Sequence, residues 1–190
     1  MLDKYYFGKV DRISPEAPVP IVNIQKEESR LGGASNVANN IVSLGGHSLL
    51  CGVIGHDLFG KEIERISRHK NIDTFLLKTS SPTITKARII GGKQQIVRVD
   101  YEDKSELNAD NKKLFRDTIS RILPEYDILV ISDYGKGLIS EDLCRYLIKL
   151  AHKYDKKVII DPKGKNWEKY SGADIVTPNV KELSDIVGYT

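Results

Sequence analysis

Residues 127–132 read Asp-Ile-Leu-Val-Ile-Ser, and residues 157–161 read Lys-Val-Ile-Ile-Asp. Each is a short continuous apolar run, which is typical of a strand buried on both faces. Between the two runs, Ser140 precedes two acidic residues, the pattern of a helix N-cap followed by acids in the first turn. Apolar residues then recur at helical spacing, at Leu143, Leu147, Leu150 and Ala151. Strand, helix and strand in this order predict a parallel sheet with helices on its faces.

The same alternation extends in both directions from this unit. Residues 173–177, Ala-Asp-Ile-Val-Thr, predict a further strand. Towards the N-terminus, residues 49–54 predict another strand, and residues 59–66 a helix. A helical stripe of small and branched residues lies before that strand, at Ala34, Val37, Ala38, Ile41 and Val42. The fold class predicted from these elements is α/β.

Two stretches depart from the α/β pattern. Residues 83–90 and 94–100 are β-rich runs on either side of Gly91-Gly92, which is the signature of a hairpin. Residues 19–25 alternate imperfectly between apolar and polar side chains. We interpret the segments at about 10–25 and 83–102 as a secondary β-element, solvated on one face, that projects from the α/β body as a lid.

Composition restricts the class of protein. Of the 190 residues, 40% are hydrophobic and 29% are charged, and the formal net charge is +3. Lys and Arg are interleaved with Asp and Glu, so the sequence predicts no nucleic-acid partner. No segment approaches the about 20 apolar residues of a membrane span, and the start lacks the pattern of a signal peptide. Cys51 and Cys144 stand far apart in apolar stretches, which favours two reduced thiols and a cytoplasmic location.

Residues 31–36, Leu-Gly-Gly-Ala-Ser-Asn, open the first predicted helix. Gly32 and Gly33 allow a ligand to approach the backbone, where the first N–H groups of the helix point outward. Asn36 is placed to hydrogen-bond a sugar hydroxyl. The same residues also fit a plain loop-to-helix turn, and the sequence alone leaves both interpretations open. Neither of the common glycine-rich dinucleotide and phosphate motifs is present.

Polar residues follow three successive predicted strands. Asp133 to Gly137, Asp161 to Gly164, and Thr177 to Asn179 come directly after them. Ligands of open parallel sheets bind beyond the carboxyl ends of the strands, so these residues predict a site for a hydroxylated and phosphorylated ligand. Asn179 and Glu182 also have the spacing of a capping box, which competes with a role in binding a nucleotide phosphate and a magnesium-bound water.

The predicted hairpin carries a second charged set. Lys86 and Arg88 lie two residues apart and so share one face of a strand, as do Arg98 and Asp100 on its partner. Such a face suits an anionic group of a substrate, although a solvated strand face with cross-strand ion pairs fits the pattern equally well. The four histidines, His47, His56, His69 and His152, have no metal-ligand spacing.

Taken together, these residues resemble the ribokinase-like (PfkB) carbohydrate kinases. Gly32, Gly33, Asn36, Ala38, Gly45 and Gly55 have the spacing of that family's N-terminal signature. The segments 12–20, 31–38, 82–86, 132–137, 161–164 and 177–179 resemble the branch of the family that acts on a heptose 7-phosphate, and 12–20 is specific to it. The resemblance implies a ribokinase-like parallel-sheet sandwich with a small β-lid, and phosphoryl transfer from Mg·ATP to the anomeric hydroxyl. That reaction supplies ADP-heptose for lipopolysaccharide.

The resemblance also implies roles for individual residues. Those expected to bind the sugar phosphate are Asp3, Arg12, Gly32, Gly33, Asn36, Lys86, Arg88, Arg98, Asp133 and Lys136. Those expected on the nucleotide side are Lys163, Asn179, Val180, Lys181 and Glu182, with Glu182 also near Mg²⁺ through water. The expected partners are ATP and a phosphorylated heptose, and the β-lid implies a homodimer.

At both ends the chain differs from the family's pattern. The resemblance places a first buried strand and a Gly-Asp upstream of Met1, and a Gly-Ala-Gly-Asp segment with the catalytic base beyond Thr190. No Gly-x-Gly-Asp occurs within the 190 residues. We therefore expect a partial kinase domain, incomplete at both ends, with no catalytic base. Two alternatives stay open, a non-catalytic module that binds a sugar phosphate or forms dimers, and a kinase of the same family for another sugar.

Overall fold

The computed structural model of the chain describes residues 1–103 and 105–188. It consists of two compact units, Met1–Asp103 and Lys104–Thr190. No helix in these described ranges is both long enough and apolar enough to cross a membrane. Each unit carries its own parallel strands, so the predicted α/β class is confirmed.

The first unit is built from six strands and two helices within residues 1–103. Their bounds are β1 (Leu2–Ile13), β2 (Pro20–Leu31), α1 (Ala34–Ser43), β3 (Leu49–Gly55), α2 (Leu58–His69), β4 (Asp73–Thr79), β5 (Thr85–Gly91) and β6 (Gln94–Tyr101). One sheet has four strands in the order β2-β1-β5-β6, and β3 and β4 form a parallel pair. β1 pairs antiparallel with β2 and parallel with β5, and β5 and β6 form the predicted antiparallel hairpin.

The four-stranded sheet is longer than the sequence predicted. We expected its first part at about residues 10–25, but β1 begins at Leu2 and β2 continues to Leu31. The region before residue 10 gave no strand prediction because Tyr5, Tyr6 and Phe7 follow one another without alternation. All three are partly buried, since each face of β1 is partly covered. The expectation of one solvated face is wrong for β6, where every residue except Ile96 is exposed.

The core of the first unit joins the sheet to both helices. Its buried side chains are Leu2, Leu31, Ala38, Leu50, Ile54, Ile63 and Ile72. Leu2 and Leu31 face each other across β1 and β2, directly before the turn into α1. Burial of these side chains therefore fixes the start of β1 against the start of α1.

A buried hydrogen-bond network around Asp57 connects three segments of the first unit. Asp57 caps α2, accepting from the Gly60 N–H at 2.8 Å. Its carboxylate also accepts from the Thr83 N–H and from the Thr83 hydroxyl, both at 2.7 Å. The Thr83 hydroxyl oxygen in turn accepts from the Gly55 N–H at the end of β3, at 2.8 Å. Asp57 thus holds the end of β3, the start of α2 and the approach to β5 together.

The second unit has the strand and helix alternation that the sequence predicted. Its elements are α3 (Ala109–Ile122), a 3-10 turn (Leu123–Glu125), β7 (Ile128–Ser132), α4 (Glu141–Lys153), β8 (Lys157–Asp161), a 3-10 turn (Glu168–Tyr170), β9 (Ile175–Val176) and α5 (Val180–Val187). The three strands are parallel in the order β7-β8-β9. Ser140 caps α4, with its side chain accepting from the Leu143 N–H at 3.4 Å.

Helix α4 and strand β8 supply the core of the second unit. The buried residues of α4 are Leu143, Cys144, Leu147, Ile148, Leu150 and Ala151. Val158 and Ile160 of β8 are completely buried. Both cysteines of the chain are free thiols, and burial raises the pKa of Cys51 to about 12 and that of Cys144 to about 11. The two thiols are therefore protonated at neutral pH.

Asp174 ties the start of β8 to the end of α4. Its carboxylate accepts from Lys157 Nζ at 2.7 Å and from the Val158 N–H at 2.9 Å, and it lies 3.1 Å from His152 Nε2. The hydrogen bond from Lys157, followed by those from Val158 and His152, holds the Asp174 pKa well below its usual range. This carboxylate therefore stays ionised throughout the physiological pH range.

Candidate functional site

The four-stranded sheet places four of the ten predicted sugar-phosphate residues on one face. Residues that pair across neighbouring strands point to the same side of a sheet. Asp3 is opposite Arg30 on β2 and Lys86 on β5, and Lys86 is opposite Asp100 on β6. One pair further along, Tyr5 is opposite Arg88, which is opposite Arg98. We call this surface the charged face; its members are Asp3, Tyr5, Arg30, Lys86, Arg88, Arg98 and Asp100.

An ion pair between Asp3 and Arg88 lies at the centre of the charged face. Arg88 Nη1 donates to Asp3 Oδ1 at 2.6 Å, and the two side chains are only 22% and 18% exposed. The hydrogen bond from Arg88 to Asp3 raises the pKa of the guanidinium. The Tyr5 ring lies between two cations, 5.2 Å from the Arg88 guanidinium and 4.8 Å from that of Arg30. The face therefore presents a fixed carboxylate beside two guanidinium groups held on an aromatic ring.

Gly32 and Gly33 lie directly beside this carboxylate, and each has its own reason to be glycine. A Cβ on Gly32 would overlap the Asp3 carboxylate oxygen Oδ2, so the backbone here meets a side chain of the protein itself. Gly33 has φ 56° and ψ −136°, a conformation that residues with a side chain disfavour. Gly33 is the N-cap of α1. Because it has no side chain, it makes no side-chain hydrogen bond to the first N–H groups of this helix.

Other predicted residues stand at different distances from this point. Asn36 is exposed in the first turn of α1, while the neighbouring Ser35 is buried and donates to the Gly32 carbonyl at 2.7 Å. Arg12 is also exposed, but it lies nine residues beyond Asp3 on β1. At about 3.3 Å per residue, that spacing separates the two by about 30 Å. Asn36 therefore lies in the helix turn that follows Gly32 and Gly33, whereas the fold does not bring Arg12 to the charged face.

The two interpretations of the hairpin cations are both visible in the structure. Lys86, Arg88 and Arg98 do share one face, as the strand spacing predicted. Two of them are also engaged in ion pairs, Arg88 with Asp3 across β1 and β5, and Arg98 with Asp100 along β6 at 2.8 Å and 3.0 Å. Among residues 1–103 and 105–188, Lys86 forms no ion pair with a nitrogen-to-oxygen distance of 4.0 Å or less. Its ammonium is thus the most available cation of the three.

In the second unit, the three parallel strands end at one edge, as predicted. Ser132 and Asp161 pair across β7 and β8, and the Asp133 N–H donates to the Asp161 carbonyl at 2.9 Å. The Thr177 N–H donates to the Ile160 carbonyl at 2.9 Å, which places the end of β9 beside them. Burial, together with the nearby Glu182 carboxylate, raises the pKa of Asp161. This edge is therefore rich in carboxylates that are only partly accessible to water.

Asp133 is buried and its carboxylate accepts three hydrogen bonds from the protein. Its exposed fraction is 3%. Oδ2 accepts from Lys169 Nζ at 2.5 Å and from the Tyr170 hydroxyl at 2.8 Å, while Oδ1 accepts from the Gly135 N–H at 2.7 Å. A substrate contact of Asp133, which the resemblance implied, would have to compete with these three donors. Lys136 lies three residues further along the loop and is partly buried.

The capping box predicted at the start of α5 is present. Asn179 Oδ1 accepts from the Glu182 N–H at 2.9 Å, and Glu182 Oε2 accepts from the Asn179 N–H at 3.1 Å. Glu182 Oε1 also accepts from Lys163 Nζ at 2.9 Å, and this bond holds the Glu182 pKa below its ordinary value. Lys163 therefore reaches from the end of β8 to the first turn of α5. Val180 and Lys181 are exposed on that turn.

Within residues 1–103 and 105–188, no group of three or more His, Cys, Asp or Glu side chains is arranged to hold a metal ion. A divalent cation at the strand edge would thus be held mainly by the ligand that brings it. Glu182 fits a contact through water, because Oε1 accepts from Lys163 and Oε2 from the Asn179 N–H, which leaves each oxygen a second lone pair.

Four residues of these sites did not appear in the sequence reasoning. Tyr5 and Arg30 join the charged face only through the pairing of β1 with β2. The sequence predicted no strand before residue 10, so this pairing was not expected. Lys169 and Tyr170 stand in a short 3-10 turn, where no periodicity marks a buried side chain. The available signal for Tyr170 was an aromatic residue a few positions after a strand-end lysine, which is too common a pattern to single out.

Comparison with known proteins gives a consistent set of relatives. Residues 5–190 match the pfkB family carbohydrate kinase. A bifunctional protein named HldE from Helicobacter pylori is 47% identical over 183 residues, covering 95% of this chain and 40% of the relative. A D-beta-D-heptose 7-phosphate kinase from Bordetella bronchiseptica is 44% identical over 189 residues, covering 99% of this chain and 59% of the relative. The chain thus spans about two fifths of the HldE relatives.

Solved structures show the same architecture. Phosphofructokinase-2 from Escherichia coli in complex with fructose-6-phosphate matches with a TM-score of 0.74 at 22% identity, over 100% of this chain and 61% of its own. A putative phosphofructokinase from Staphylococcus aureus matches with a TM-score of 0.76 at 16% identity, over 100% and 60%. These likenesses confirm the predicted fold.

Proposed function

Because this chain belongs to the pfkB family of carbohydrate kinases, we propose that it carries the sugar-phosphate site, and part of the nucleotide site, of an ATP-dependent heptose 7-phosphate kinase. The product would be heptose 1,7-bisphosphate, formed at the anomeric hydroxyl on the route to ADP-heptose and lipopolysaccharide. Similarity to a D-beta-D-heptose 7-phosphate kinase at 44% identity supports this choice of sugar.

The arrangement of Asp3 against Gly32 is the observation that carries the proposal. A carboxylate lying on a glycine backbone at the uncapped start of α1 offers acceptors and N–H donors side by side. Alternating donors and acceptors are what a row of sugar hydroxyls requires. Lys86 and the guanidinium groups of Arg88 and Arg98 stand next to them on the same face and suit a phosphate group.

We assign the nucleotide to the strand edge of the second unit. Lys163 would contact its phosphates, and the first turn of α5 would bind the same groups through residues Asn179, Val180 and Lys181. Mg²⁺ would arrive with ATP, and Glu182 would contact a water molecule on it. The metal would neutralise charge on the phosphates during in-line transfer to the sugar oxygen. We assign the catalytic base to no residue in the described part of the chain.

Substitution of Lys86 by alanine is expected to weaken binding of heptose 7-phosphate by about 10- to 100-fold, because a charged hydrogen bond contributes about 1.5–3 kcal/mol. Asn36→Ala removes a neutral hydrogen bond and is expected to cost about 3- to 10-fold. Isothermal titration calorimetry of each variant measures both changes. Lys93→Ala, at the exposed hairpin turn, is the matched control. Equal affinities for all three variants and the native chain would refute the sugar assignment.

A coupled assay for ADP release on the same samples separates two functional classes. Binding of heptose 7-phosphate without release of ADP would assign this chain as a binding module on its own. ADP release that depends on the sugar phosphate would show that a base lies within these 190 residues. A panel of other sugar phosphates would then distinguish a heptose kinase from a relative that acts on another sugar.

We also propose that the chain forms a homodimer through the four-stranded sheet. The surface opposite the charged face carries Val10, Ile24, Val97 and Val99, which are 41%, 39%, 45% and 40% exposed. Strand pairing puts these side chains on a common face, which we call the apolar face. Burial of an apolar face of this kind against an identical copy would remove it from water.

Val97→Lys is expected to convert the dimer to a monomer, since it places a charge on the apolar face. Gln95→Lys adds the same charge to the same strand on the opposite side, and we expect it to leave the dimer intact. Sedimentation velocity at several concentrations measures the mass of each. A native chain that is monomeric at all concentrations, or a dimeric Val97→Lys variant, would exclude this interface.

Free thiols and phosphorylated substrates are consistent with the cytoplasm, where we propose that the protein acts.

A further inference from the structure

We propose that Tyr170 is a positioning residue for the nucleotide site, because its hydroxyl ties the loop after β7 to the loop after β8 and thereby fixes Lys163. This inference rests on the proposed function, in which Lys163 contacts the nucleotide phosphates. None of the comparisons or sequence motifs points to Tyr170. Its buried hydroxyl is a polar group of the second unit that the sugar and nucleotide assignments leave unused.

The Tyr170 hydroxyl stands at the meeting point of the two loops. The side chain is 3% exposed, and its oxygen accepts from the Lys163 N–H at 2.9 Å. The hydroxyl then donates to Asp133 Oδ2 at 2.8 Å, a shorter contact than the 3.2 Å to the Lys163 carbonyl. A carboxylate is the stronger acceptor, so the proton lies towards Asp133. The resulting chain runs from the Lys163 N–H through the phenol oxygen to the carboxylate.

Lys169 completes this arrangement. Its ammonium donates to Asp133 Oδ2 at 2.5 Å, lies 4.9 Å from the centre of the Tyr170 ring, and has a side chain only 15% exposed. Asp133 Oδ1 meanwhile holds the Gly135 N–H of its own loop. Asp133 therefore has donors from its own loop and from the 3-10 turn, and it is better placed to hold these segments than to bind a substrate. We call Asp133, Lys169 and Tyr170 the loop clamp.

The clamp acts on Lys163 through the backbone. The main chain of Lys163 is held by the phenol of Tyr170, whose oxygen accepts from the Lys163 N–H, while the Lys163 ammonium lies 2.9 Å from Glu182 at the start of α5. A lysine side chain has many rotamers, so a fixed backbone restricts where its charge can lie. Loss of the phenol would leave the charge of Lys163 present but no longer fixed in position.

Tyr170→Phe removes the hydroxyl and keeps the ring. We expect amide hydrogen exchange at Lys163 to accelerate about tenfold, the effect of losing one hydrogen bond. We also expect the dissociation constant for Mg·ATP to rise about 5- to 10-fold, with no change for heptose 7-phosphate. The split between the two ligands separates positioning from a general loss of stability. Tyr146→Phe, which removes a phenol oxygen from α4, is the matched control and should change none of the three values.

Each outcome decides the proposal. Unchanged exchange at Lys163 would show that the phenol does not hold the loop, and faster exchange with unchanged affinity for Mg·ATP would show that holding it does not position the charge. If the native chain binds no Mg·ATP, the proposed nucleotide site fails, and exchange at Lys163 still tests the clamp itself. Should Tyr170→Phe not fold, amide hydrogen exchange at Lys163 in the native chain still tests the clamp, since a Lys163 N–H that exchanges as fast as an unbonded amide would refute it.

Discussion

Replacement of Asp57 by alanine is expected to lower the free energy of unfolding by about 3 kcal/mol. The change removes the cap of α2 and two further hydrogen bonds to Thr83. It also leaves the N–H groups of Gly60 and Thr83 without their acceptor in a partly buried position, which adds to the loss. Urea denaturation followed by circular dichroism measures the change at pH 7.

The control is Asp73→Ala, which removes an exposed carboxylate from the same unit. Asp73 pairs with His47 at the surface, its side chain is 63% exposed, and we expect a loss below about 1 kcal/mol. Burial works to raise the Asp57 pKa, but the hydrogen bonds from Thr83 and Gly60 outweigh it and hold the pKa below its ordinary value. The stabilisation by Asp57 is thus present above pH about 4 and disappears as the pH falls through the lower folded-state value. An Asp57→Ala effect equal to that of Asp73→Ala, or one unchanged in acid, would contradict this account.

Asp133→Ala is expected to cost about 3–5 kcal/mol of unfolding free energy, because it leaves the Lys169 ammonium unpaired where its side chain is only 15% exposed. The variant also removes the acceptor of the Tyr170 hydroxyl and of the Gly135 N–H. Asp142→Ala serves as the control, since its surface pair with Arg116 has a carboxylate that is 72% exposed. We expect the control to lose less than about 1 kcal/mol.

A double-mutant cycle separates the ion pair from the rest of this loss. Lys169→Met keeps the volume of the side chain and removes its charge. With Asp133→Ala already in place, Lys169→Met is expected to restore part of the stability, because it removes the unpaired charge that the first change created. Additive losses in the two single variants would show that the carboxylate and the ammonium do not interact.

Much of the second unit could be predicted from the sequence because β7 and β8 are short apolar runs. The expectation that both are buried on both faces is wrong for β7, where Ile128 and Val130 are exposed. Residues 128–132 and 157–161 are continuous apolar runs with no competing helical interpretation, and the Ser140 cap and the Asn179–Glu182 capping box mark helix starts through local bonds. The periodicity of apolar residues is too weak in α3 to predict a helix, because charged residues surround a narrow buried strip at Phe115, Thr118 and Ile119. No prediction was made for that helix, nor for β4, which has one buried residue, Leu77.

The site residues show the same difference between features set by local sequence and features set by contacts between distant segments. The hairpin spacing was sufficient to put Lys86, Arg88 and Arg98 on one face, because alternation along a strand is a local property. Their pairing could not be predicted, since Asp3 reaches Arg88, 85 residues away in sequence, only through the contact of β1 with β5. Likewise Asp133 was identified as a strand-end residue, but its burial depends on Lys169 and Tyr170, whose turn packs against it only in the folded unit.

Glu182 has two roles, and they cannot be independent. One of its carboxylate oxygens closes the capping box of α5, and the other holds the ammonium of Lys163. Helix α5 has no buried residue, so its first turn contributes much of what keeps it folded. Any anion that draws Lys163 away from Glu182 changes the stability of that turn by a coupling free energy, and by reciprocity the folding of the turn changes the affinity for the anion by the same amount. Occupancy of the strand edge is thus coupled to helix formation in α5.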